Sequence, residues 1–390
     1  MLTPDPVSVR PELSVIVPAR NEEASLGTCL ESLVEQKGVS FEIIVVDDGS
    51  GDGTRKIALS FPGVRVIDPG PLPDGWTGKN NAVTAGAREA RGDWLLFTDA
   101  DTVHLPGSLA RAVAEAKESN AALLSYSPQQ EVHSFWEKAV MPVIFAELAA
   151  TYRPSKVCDP ASPVAAANGQ YLLVTRDAYE AVGGHAAVGT SLLEDVALAR
   201  AVKASGRKIR FRYGADAVRT RMYRSLPELV EGWTKNLPLL FPAAERLAML
   251  RLAEFLLISG NAGLAISAGL GERPKTAVAA ATVATLSYVL HLKRVRKAHF
   301  RWDANLISVF GLPLFSYLLL RSVLCYGRGR VSWKGRTYDS ASGSIGSEPV
   351  RENSLSKVPM ASDLQKAAPK GRNRPALSEV EGIARDVSPR

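Results

Sequence analysis

Two carboxylates follow an apolar run of the chain at a spacing that suits a metal ion. Asp99 and Asp101 lie in the segment TDAD, directly after the run WLLF (Trp94–Phe97). Such carboxylates can converge on a hard divalent cation, and Mg²⁺ or Mn²⁺ commonly bridges them to substrate phosphates. A lone D-x-D pattern is frequent in solvated loops. Because this one follows a buried strand and a second acidic motif, we predict that Asp99 and Asp101 bind Mg²⁺ or Mn²⁺.

The second acidic motif, VDDGS, follows the apolar run FEIIVV (Phe41–Val46). Ligands of layered α/β sheets bind at the carboxyl ends of the strands, so Asp47 and Asp48 are expected to face a crevice. A carboxylate there can accept hydrogen bonds from a ribose hydroxyl or a base N–H. The alternative is a structural turn, in which the Asp-Gly pair reverses the chain and Thr54 caps the next helix.

Two further segments carry side chains that could act on a substrate. Asp195, in SLLEDVALARAV, lies near the start of a predicted helix, where a carboxylate is stabilised and can take a proton from an incoming hydroxyl. Lys79, in GWTGKNN, offers a positive charge to a phosphate. The alternatives are a helix-end charge without further role for Asp195 and a surface turn before a helix for Lys79.

The elements that must position these residues alternate between strands and helices over residues 13–237. Between the first two strands, NEEASLGTCLESLVEQ predicts an amphipathic helix with Asn21 as its cap. This alternation predicts a mainly parallel, layered α/β sheet. The strands are expected at four β-branched, apolar runs: Leu13–Val17, Phe41–Val46, Val64–Ile67 and Trp94–Thr98.

Later stretches are apolar enough to cross a membrane, at roughly Leu252–Leu270, Thr276–Leu292 and Ala304–Leu320. Each is close to the ~20 residues that a helix needs to span the hydrocarbon core. The glycine and proline of the third stretch allow a re-entrant or tilted segment, and a soluble helical domain is the alternative for all three. Residues 134–152 are aromatic but carry charges, which favours a helix in the membrane interface or a buried core helix.

The charge distribution favours a membrane rather than a nucleic acid as the partner. The net charge is +7, and residues 271–336 hold 12 Lys and Arg against 2 Asp and Glu. Basic residues beside apolar runs are typical of cytoplasmic membrane flanks, whereas nucleic-acid binding requires them on a folded, aromatic-rich surface. We therefore expect a multi-pass protein of the inner membrane with residues 1–237 in the cytoplasm. Three widely spaced cysteines fit a reducing compartment.

The number of membrane crossings stays open. Both Lys293–Arg301 and the segment after Arg321 should be cytoplasmic, yet one full crossing cannot put them on the same side. Either the third stretch re-enters, or Pro238–Arg251 contains an extra crossing. Trp233 and Lys235 precede the segment Pro238–Arg251 and are candidates for anchors at the membrane interface.

The composition divides the chain into three regions. Residues 12–237 form the predicted α/β domain, and residues 238–336 form the membrane region. Residues 337–390 are rich in Ser, Pro, Ala, Lys and Glu without apolar periodicity, which predicts a disordered tail.

Taken in order, the motifs VPARNE, VVDDGSGDGT, TDAD and LLED resemble those of family 2 glycosyltransferases with the GT-A fold. The resemblance covers roughly residues 12–237. It implies an inverting transfer from a nucleotide-sugar donor, expected to be a UDP-sugar. The resemblance implies that Asp47 contacts the nucleotide, with Asp48 beside it, and that Asp99 and Asp101 bind the metal ion and the diphosphate. It also implies that Asp195 is the catalytic base and that Glu22 and Lys79 lie near the nucleotide.

The segments GWTGKNNA, VMPVIFAELAATY, RTRMYRSLPELVEGWTKN and VSWKGRTY are similar to a narrower bacterial branch, the hopene-associated and carotenoid-precursor glycosyltransferases. The branch and the apolar stretches together imply a polyisoprenoid-type or other lipid acceptor with a hydroxyl or carboxyl group. One alternative is a processive polysaccharide synthase, but its Q-x-x-R-W signature is replaced here by RTRMY and a separate Gly-Trp pair. The other is a non-catalytic, membrane-anchored nucleotide-binding protein.

Overall fold

The computed structural model describes residues 10–333 and 336–339. The strands of these residues are β1 (Leu13–Ala19), β2 (Phe41–Asp47), β3 (Val64–Ile67), β4 (Trp94–Phe97), β5 (Thr102–His104), β6 (Leu123–Ser127), β7 (Gln129–Gln130), β8 (Leu172–Thr175), β9 (Ile209–Tyr213), β10 (Val218–Thr220), β11 (Arg330–Trp333) and β12 (Arg336–Asp339). The helices are α1 (Leu26–Val34), α2 (Thr54–Leu59), α3 (Gly78–Glu89), α4 (Ser108–Glu118), α5 (Phe135–Thr151), α6 (Pro154–Val157), α7 (Arg176–Ala181), α8 (Glu194–Ala204), α9 (Leu226–Leu240), α10 (Ala244–Leu270), α11 (Pro274–Val295), α12 (Trp302–Ile307) and α13 (Gly311–Gly327).

A mainly parallel sheet forms the centre of the α/β region, with the strand order β3-β2-β1-β4-β8-β6-β9. Strands β1 to β4 run parallel to one another, as do β6 and β9, and only β8 runs antiparallel to its neighbours β4 and β6. Helices cover both faces, because Val15 and Val17 pack in a cluster with α1 and α4 while Ile16 packs in one with α3 and α8. The layered α/β fold expected from the sequence is therefore confirmed, as are the four predicted strands.

The first helix begins later than the sequence suggests. It starts at Leu26, and Asn21 lies in a left-handed turn with φ of 53°. The Asn21 side chain accepts a hydrogen bond from the Gly51 amide at 2.9 Å, so it joins two loops instead of capping α1. The prediction of Asn21 as the helix cap was wrong, since a residue with positive φ cannot adopt the extended backbone of an N-cap.

A small second sheet, with the order β5-β10-β7, follows the TDAD segment. Thr220 of β10 pairs with Thr102 of β5, and its hydroxyl donates to the Asp101 carbonyl at 3.2 Å. The Thr102 hydroxyl donates to the Asp99 carbonyl at 2.7 Å. The backbone of the two acidic residues is thus fixed between both sheets.

Three helical segments are long and apolar enough to cross a membrane: Ala244–Leu270, Pro274–Ala298 and Trp302–Gly327. Large apolar side chains of α10 and α11, such as Ile266, Leu270 and Leu290, are more than half exposed. In a soluble helical domain these apolar side chains would be exposed to water, which is unfavourable for so large a surface. The exposed surface of α10 and α11 therefore favours contact with lipid. Of the two alternatives for the number of crossings, an extra crossing at Pro238–Arg251 is not supported, because these residues belong to the end of α9 and the start of α10.

The third segment is anchored to the α/β region through α5. The apolar residues of α5 are mostly buried, and they pack with α9 and α13 in one cluster. A Cβ on Gly311 would lie 2.0 Å from the Ala139 carbonyl oxygen, so only glycine permits this close approach. Of the two alternatives for residues 134–152, the structure favours a buried core helix, with Phe135 and Trp136 exposed at its start.

The predicted region boundaries fall inside elements of the structure. Residue 237 lies within α9, and residues 337–339 belong to β12, which pairs antiparallel with β11. The rest of the predicted tail, residues 340–390, lies outside the described residues.

Candidate active site

A cavity of about 820 Å³ opens beyond the carboxyl ends of β1, β2 and β4. This is the edge of the sheet where a layered α/β fold binds its ligands. Six of the seven residues expected in the site line this cavity: Glu22, Asp48, Lys79, Asp99, Asp101 and Asp195.

Asp47 lies outside the cavity lining, and its side chain is only 5% exposed. One carboxylate oxygen accepts a hydrogen bond from the Ser50 amide at 3.1 Å, and the other faces the Arg55 guanidinium at 3.4 Å. The carboxylate therefore stabilises the turn after β2, as the turn alternative expects. That alternative was wrong about the cap of the next helix, because Thr54 is the first residue of α2 and Gly53 is its N-cap. A nucleotide contact by Asp47 stays a prediction.

Asp48 and Glu22 lie where the ends of β1 and β2 are tied together. The Asp48 amide donates to the Ala19 carbonyl at 2.9 Å, and the Arg20 guanidinium donates to the Asp48 carbonyl at 2.5 Å. The Glu22 amide donates to the Thr54 hydroxyl at 2.7 Å. Hydrogen bonds between the two loops thus hold both acidic side chains at one wall of the cavity.

Lys79 connects the D-x-D segment with the start of α8. Its ammonium group lies 2.8 Å from Asp99 Oδ1 and 2.8 Å from Glu194 Oε1. Burial alone would lower the pKa of Lys79, but the carboxylates of Asp99, Glu194 and Asp195 raise it well above its usual value. The lysine is therefore a fixed positive charge among the acids of the cavity.

A neighbouring asparagine holds this lysine in place, which sequence reasoning missed. Asn80 is fully buried, and its amide nitrogen donates to the carbonyls of Val188, Gly189 and Ser191 at 3.1, 2.8 and 2.9 Å. These bonds tie the start of α3 to the loop that leads into α8. The only sequence signal was the Asn-Asn pair inside an otherwise helix-forming segment.

Asp195 and Glu194 are adjacent carboxylic acids whose pKa values are shifted in opposite directions. Burial, followed by the negative charge of Glu194, raises the pKa of Asp195 from 3.8 to about 6. Burial also acts to raise the pKa of Glu194, but the Lys79 charge outweighs it and holds that pKa below its usual value. Environments that separate the pKa values of two carboxylates are typical of acid–base sites. The group with the raised pKa, Asp195, suits the acceptance of a proton near neutral pH.

The Gly169 backbone positions the Asp195 carboxylate. The Gly169 amide donates to Asp195 Oδ2 at 2.8 Å. A Cβ at this position would lie 3.0 Å from the Lys79 ammonium nitrogen and 3.6 Å from Asp195 Oδ2. Glycine therefore leaves room for the charged groups to meet above the end of the sheet.

Helix α9 adds two cavity residues, Trp233 and Lys235, that the sequence assigned to the membrane interface. Trp233 is 2% exposed, and its indole N–H points at the Met141 sulfur at 3.3 Å. Burial lowers the pKa of Lys235, although Glu194, Asp99 and Asp195 oppose this effect. The assignment as interfacial anchors was wrong. Leu229, Trp233 and Leu237 are spaced four residues apart, and this spacing was the available sequence signal for a buried helix face.

The donor set fits a divalent cation that takes part of its coordination from a substrate. Asp99 and Asp101 line the same cavity and offer the oxygen ligands that Mg²⁺ and Mn²⁺ prefer. Among the described residues, no group of three His, Cys, Asp or Glu side chains could hold a metal ion by itself. A cation bound here would need phosphate or water oxygens as well, which is usual for Mg²⁺ at phosphate sites.

Residues 14–179 match the sequence model of the family described as "Glycosyl transferase family 2". The chain therefore carries a family 2 glycosyltransferase domain, and the enzyme class expected from the sequence is confirmed. The match includes the D-x-D segment and Lys79 and ends before α8, so Asp195 lies outside the matched range.

Curated relatives extend the similarity into the helical region. The chain is 28% identical over 341 residues to the 4,4'-diaponeurosporenoate glycosyltransferase of Staphylococcus aureus (strain USA300), which covers 84% of this chain and 88% of the relative. The corresponding protein of strain MRSA252 is 29% identical over 342 residues, with the same coverage. The expected similarity to carotenoid-precursor glycosyltransferases is thereby confirmed.

Solved structures are similar to this chain at lower sequence identity. A mannosyltransferase from Pyrobaculum calidifontis, solved in complex with GDP-Man and Mn²⁺, gives a TM-score of 0.44 at 19% identity and covers 82% of this chain and 87% of its own. A TarS fragment from S. aureus gives a TM-score of 0.41 at 15% identity, with coverages of 84% and 99%.

Proposed function

We propose that this protein is a membrane-associated, inverting glycosyltransferase that moves a sugar from a nucleotide-sugar to a lipid acceptor. One observation carries this proposal: a single cavity joins the acidic cluster around Lys79 to apolar residues of α5 and α9, and it reaches the end of a candidate membrane span. A soluble acceptor would have no use for the apolar part. The similarity to an enzyme that glycosylates a carotenoid supports the same acceptor class.

In the proposed mechanism, Asp195 removes the proton of an acceptor hydroxyl as the oxygen attacks the anomeric carbon of the donor. The Gly169 amide holds the carboxylate in place for this transfer. The bond from the anomeric carbon to the diphosphate oxygen breaks as the new bond forms, and Lys79 and Lys235, which line the cavity, supply positive charge to the departing nucleoside diphosphate. A divalent cation held by Asp99 and Asp101 would offset negative charge on the diphosphate.

The proposal has Asp47 contact the donor nucleotide and keeps Asp48, Glu22 and Lys79 near it. We further propose a UDP-sugar as the donor and a polyisoprenoid-type acceptor with a hydroxyl or carboxyl group. The candidate spans support a location in the inner membrane with the catalytic cavity on the cytoplasmic side, because basic residues surround the connection between α11 and α12.

The test uses membranes that contain the full chain, a panel of radiolabelled nucleotide-sugars, and Mn²⁺ or a chelator. We expect labelled sugar in the lipid phase with at least one donor, and a lipid product identifiable by mass. The Asp195→Asn variant should bind the donor nucleotide but transfer no sugar. Label only in long water-soluble polymer would instead support a processive synthase, and full turnover by Asp195→Asn would rule out Asp195 as the base.

A further inference from the structure

Part of the cavity lining is apolar and is called the apolar arm here: Phe145, Leu148 and Ala149 of α5, Tyr152 directly after α5, Phe211 of β9 and Leu240 of α9. The wall is held together by direct contacts. The Tyr152 hydroxyl donates to the Leu240 carbonyl at 3.1 Å, and the Phe145 ring lies 6.0 Å from the Trp233 ring in an edge-to-face arrangement. Aromatic and aliphatic side chains thus form a continuous part of the wall of the cavity that also holds the charged groups.

The arm borders the connection between α11 and α12, where the Phe300 ring lies 5.8 Å from the Phe145 ring. Lys297, Ala298 and His299 line the same cavity, and Ala298 is the last residue of the second candidate span. The His299 ring stacks on the Tyr213 ring with centroids 4.2 Å apart and an angle of 12° between the planes. The arm therefore reaches the place where a membrane-spanning helix would leave the bilayer.

The two ends of the cavity make opposite demands on a ligand. At the inner end, Asp195, Glu194 and Lys79 require a polar group. In the arm, water would have few hydrogen-bond partners, whereas each buried methylene would strengthen binding by about fourfold. A molecule that satisfies both ends is an amphiphile with one reactive polar end and an unbranched or isoprenoid hydrocarbon chain.

We propose that the apolar arm binds the hydrocarbon chain of the acceptor, which enters from the bilayer past the Tyr213–His299 stack with its polar end leading to Asp195. This inference rests on the proposed function and names the subsite that selects the acceptor. It makes α5 the element that decides how long a chain fits.

Two neighbouring alanines of α5 provide a matched pair of variants. Ala149 lines the arm, whereas Ala150 is exposed and lies outside the lining. Ala149→Trp should fill the arm, and Ala150→Trp adds the same side chain on the outer surface. If the new side chain displaces two methylenes of the bound hydrocarbon from the arm, the hydrocarbon should bind about 15-fold more weakly.

The probe is a long-chain primary alcohol with a diazirine in its chain, cross-linked by light to the full-length protein in lipid nanodiscs. Peptide mass spectrometry should place the label on α5 and on residues 296–301. Labelling there should fall about 15-fold in Ala149→Trp and stay unchanged in Ala150→Trp. Ala149→Leu, which adds less volume, should give a smaller loss of the same sign, and it serves if the tryptophan variant fails to fold.

Equal labelling of these segments in the Ala149→Trp and wild-type proteins would overturn the inference, as would label confined to the lipid-facing surface of α10 and α11. The labelling needs no donor, so it separates two failures. Sugar transfer to lipid without label in the arm would refute only the inference. Label in the arm without any glycosylated lipid would refute the proposed function.

Discussion

The contrast between Glu194 and Asp195 predicts the pH dependence of transfer. The pKa of Asp195 is raised to about 6 by burial and then by the negative charge of Glu194. Because the proposed base must be ionised, kcat/KM should fall as the pH drops through about 6. Glu194→Gln removes the negative charge and keeps an oxygen that can accept from Lys79. The pKa of Asp195 should therefore fall in this variant, and the acidic limb of the pH profile should move to lower pH.

The size of this shift follows from the order of the causes. A like charge beside a carboxylate raises its pKa. Because burial is the larger cause of the raised pKa of Asp195, loss of the Glu194 charge should lower the acidic limb by only about one pH unit. At pH 5 the ionised fraction of the base would rise from about 9% to about 50%. Relative to its own rate at pH 8, Glu194→Gln should thus be about fivefold more active at pH 5 than the wild-type enzyme.

The assay is the initial rate of sugar transfer to lipid at low donor concentration, measured over about four pH units around the expected limb. Glu31→Gln is the control, because Glu31 is exposed on α1 and outside the cavity lining. It should leave the limb in place. An unmoved limb in Glu194→Gln, or a limb at higher pH, would show that the group titrating in the profile is not the Asp195 carboxyl beside Glu194.

Three further predictions test the site and the fold. Asp99→Ala should weaken nucleotide binding at least about tenfold in Mn²⁺ and change it little in a chelator, as measured by calorimetry. Gly311→Ala should lower the free energy of unfolding by about 1–3 kcal/mol, because the new Cβ would overlap the α5 backbone, whereas Gly263→Ala, with nothing within 4 Å, should not destabilise the protein in thermal unfolding. Asn80→Ala leaves three carbonyls without their donor and should lower the free energy of unfolding by about 2–3 kcal/mol. Asn81→Ala should lower it less, because the two hydrogen bonds of Asn81 are 3.3 and 3.4 Å long. Equal losses of unfolding free energy in the two variants would contradict the positioning role of Asn80.

The parts of the site that lie directly after strands could be predicted from the sequence. The apolar runs ending at Asp47 and Phe97 identified β2 and β4, and the carboxyl ends of parallel strands share one edge of a sheet. Asp48 and Asp99 therefore had to lie near each other. The exact direction of a side chain was beyond this reasoning, as Asp47 shows, because its carboxylate is taken by the Ser50 amide and Arg55.

The remaining wall depends on contacts between segments far apart in the chain. Trp233 and Lys235 reach the cavity because α9 packs on both α5 and α13. The spacing of Leu229, Trp233 and Leu237 indicates a buried helix face, but it does not identify the two helices on which that face packs. The same is true of His299, which meets Tyr213 across 86 positions of sequence only after α11 and α12 have folded. Asn80 is a third case, since its three acceptors lie more than 100 residues away.

The shared packing of α5, α9 and α13 has a practical consequence for protein production. Val140 and Ile144 of α5 lie in one apolar cluster with Phe315 and Leu318 of α13, and all four are fully buried. A shortened gene that stops before α10 would leave the α5 face uncovered and remove the connection that carries His299. Such a product should precipitate or require detergent, so crystallisation and screening of inhibitors should start from a chain that extends through Gly327.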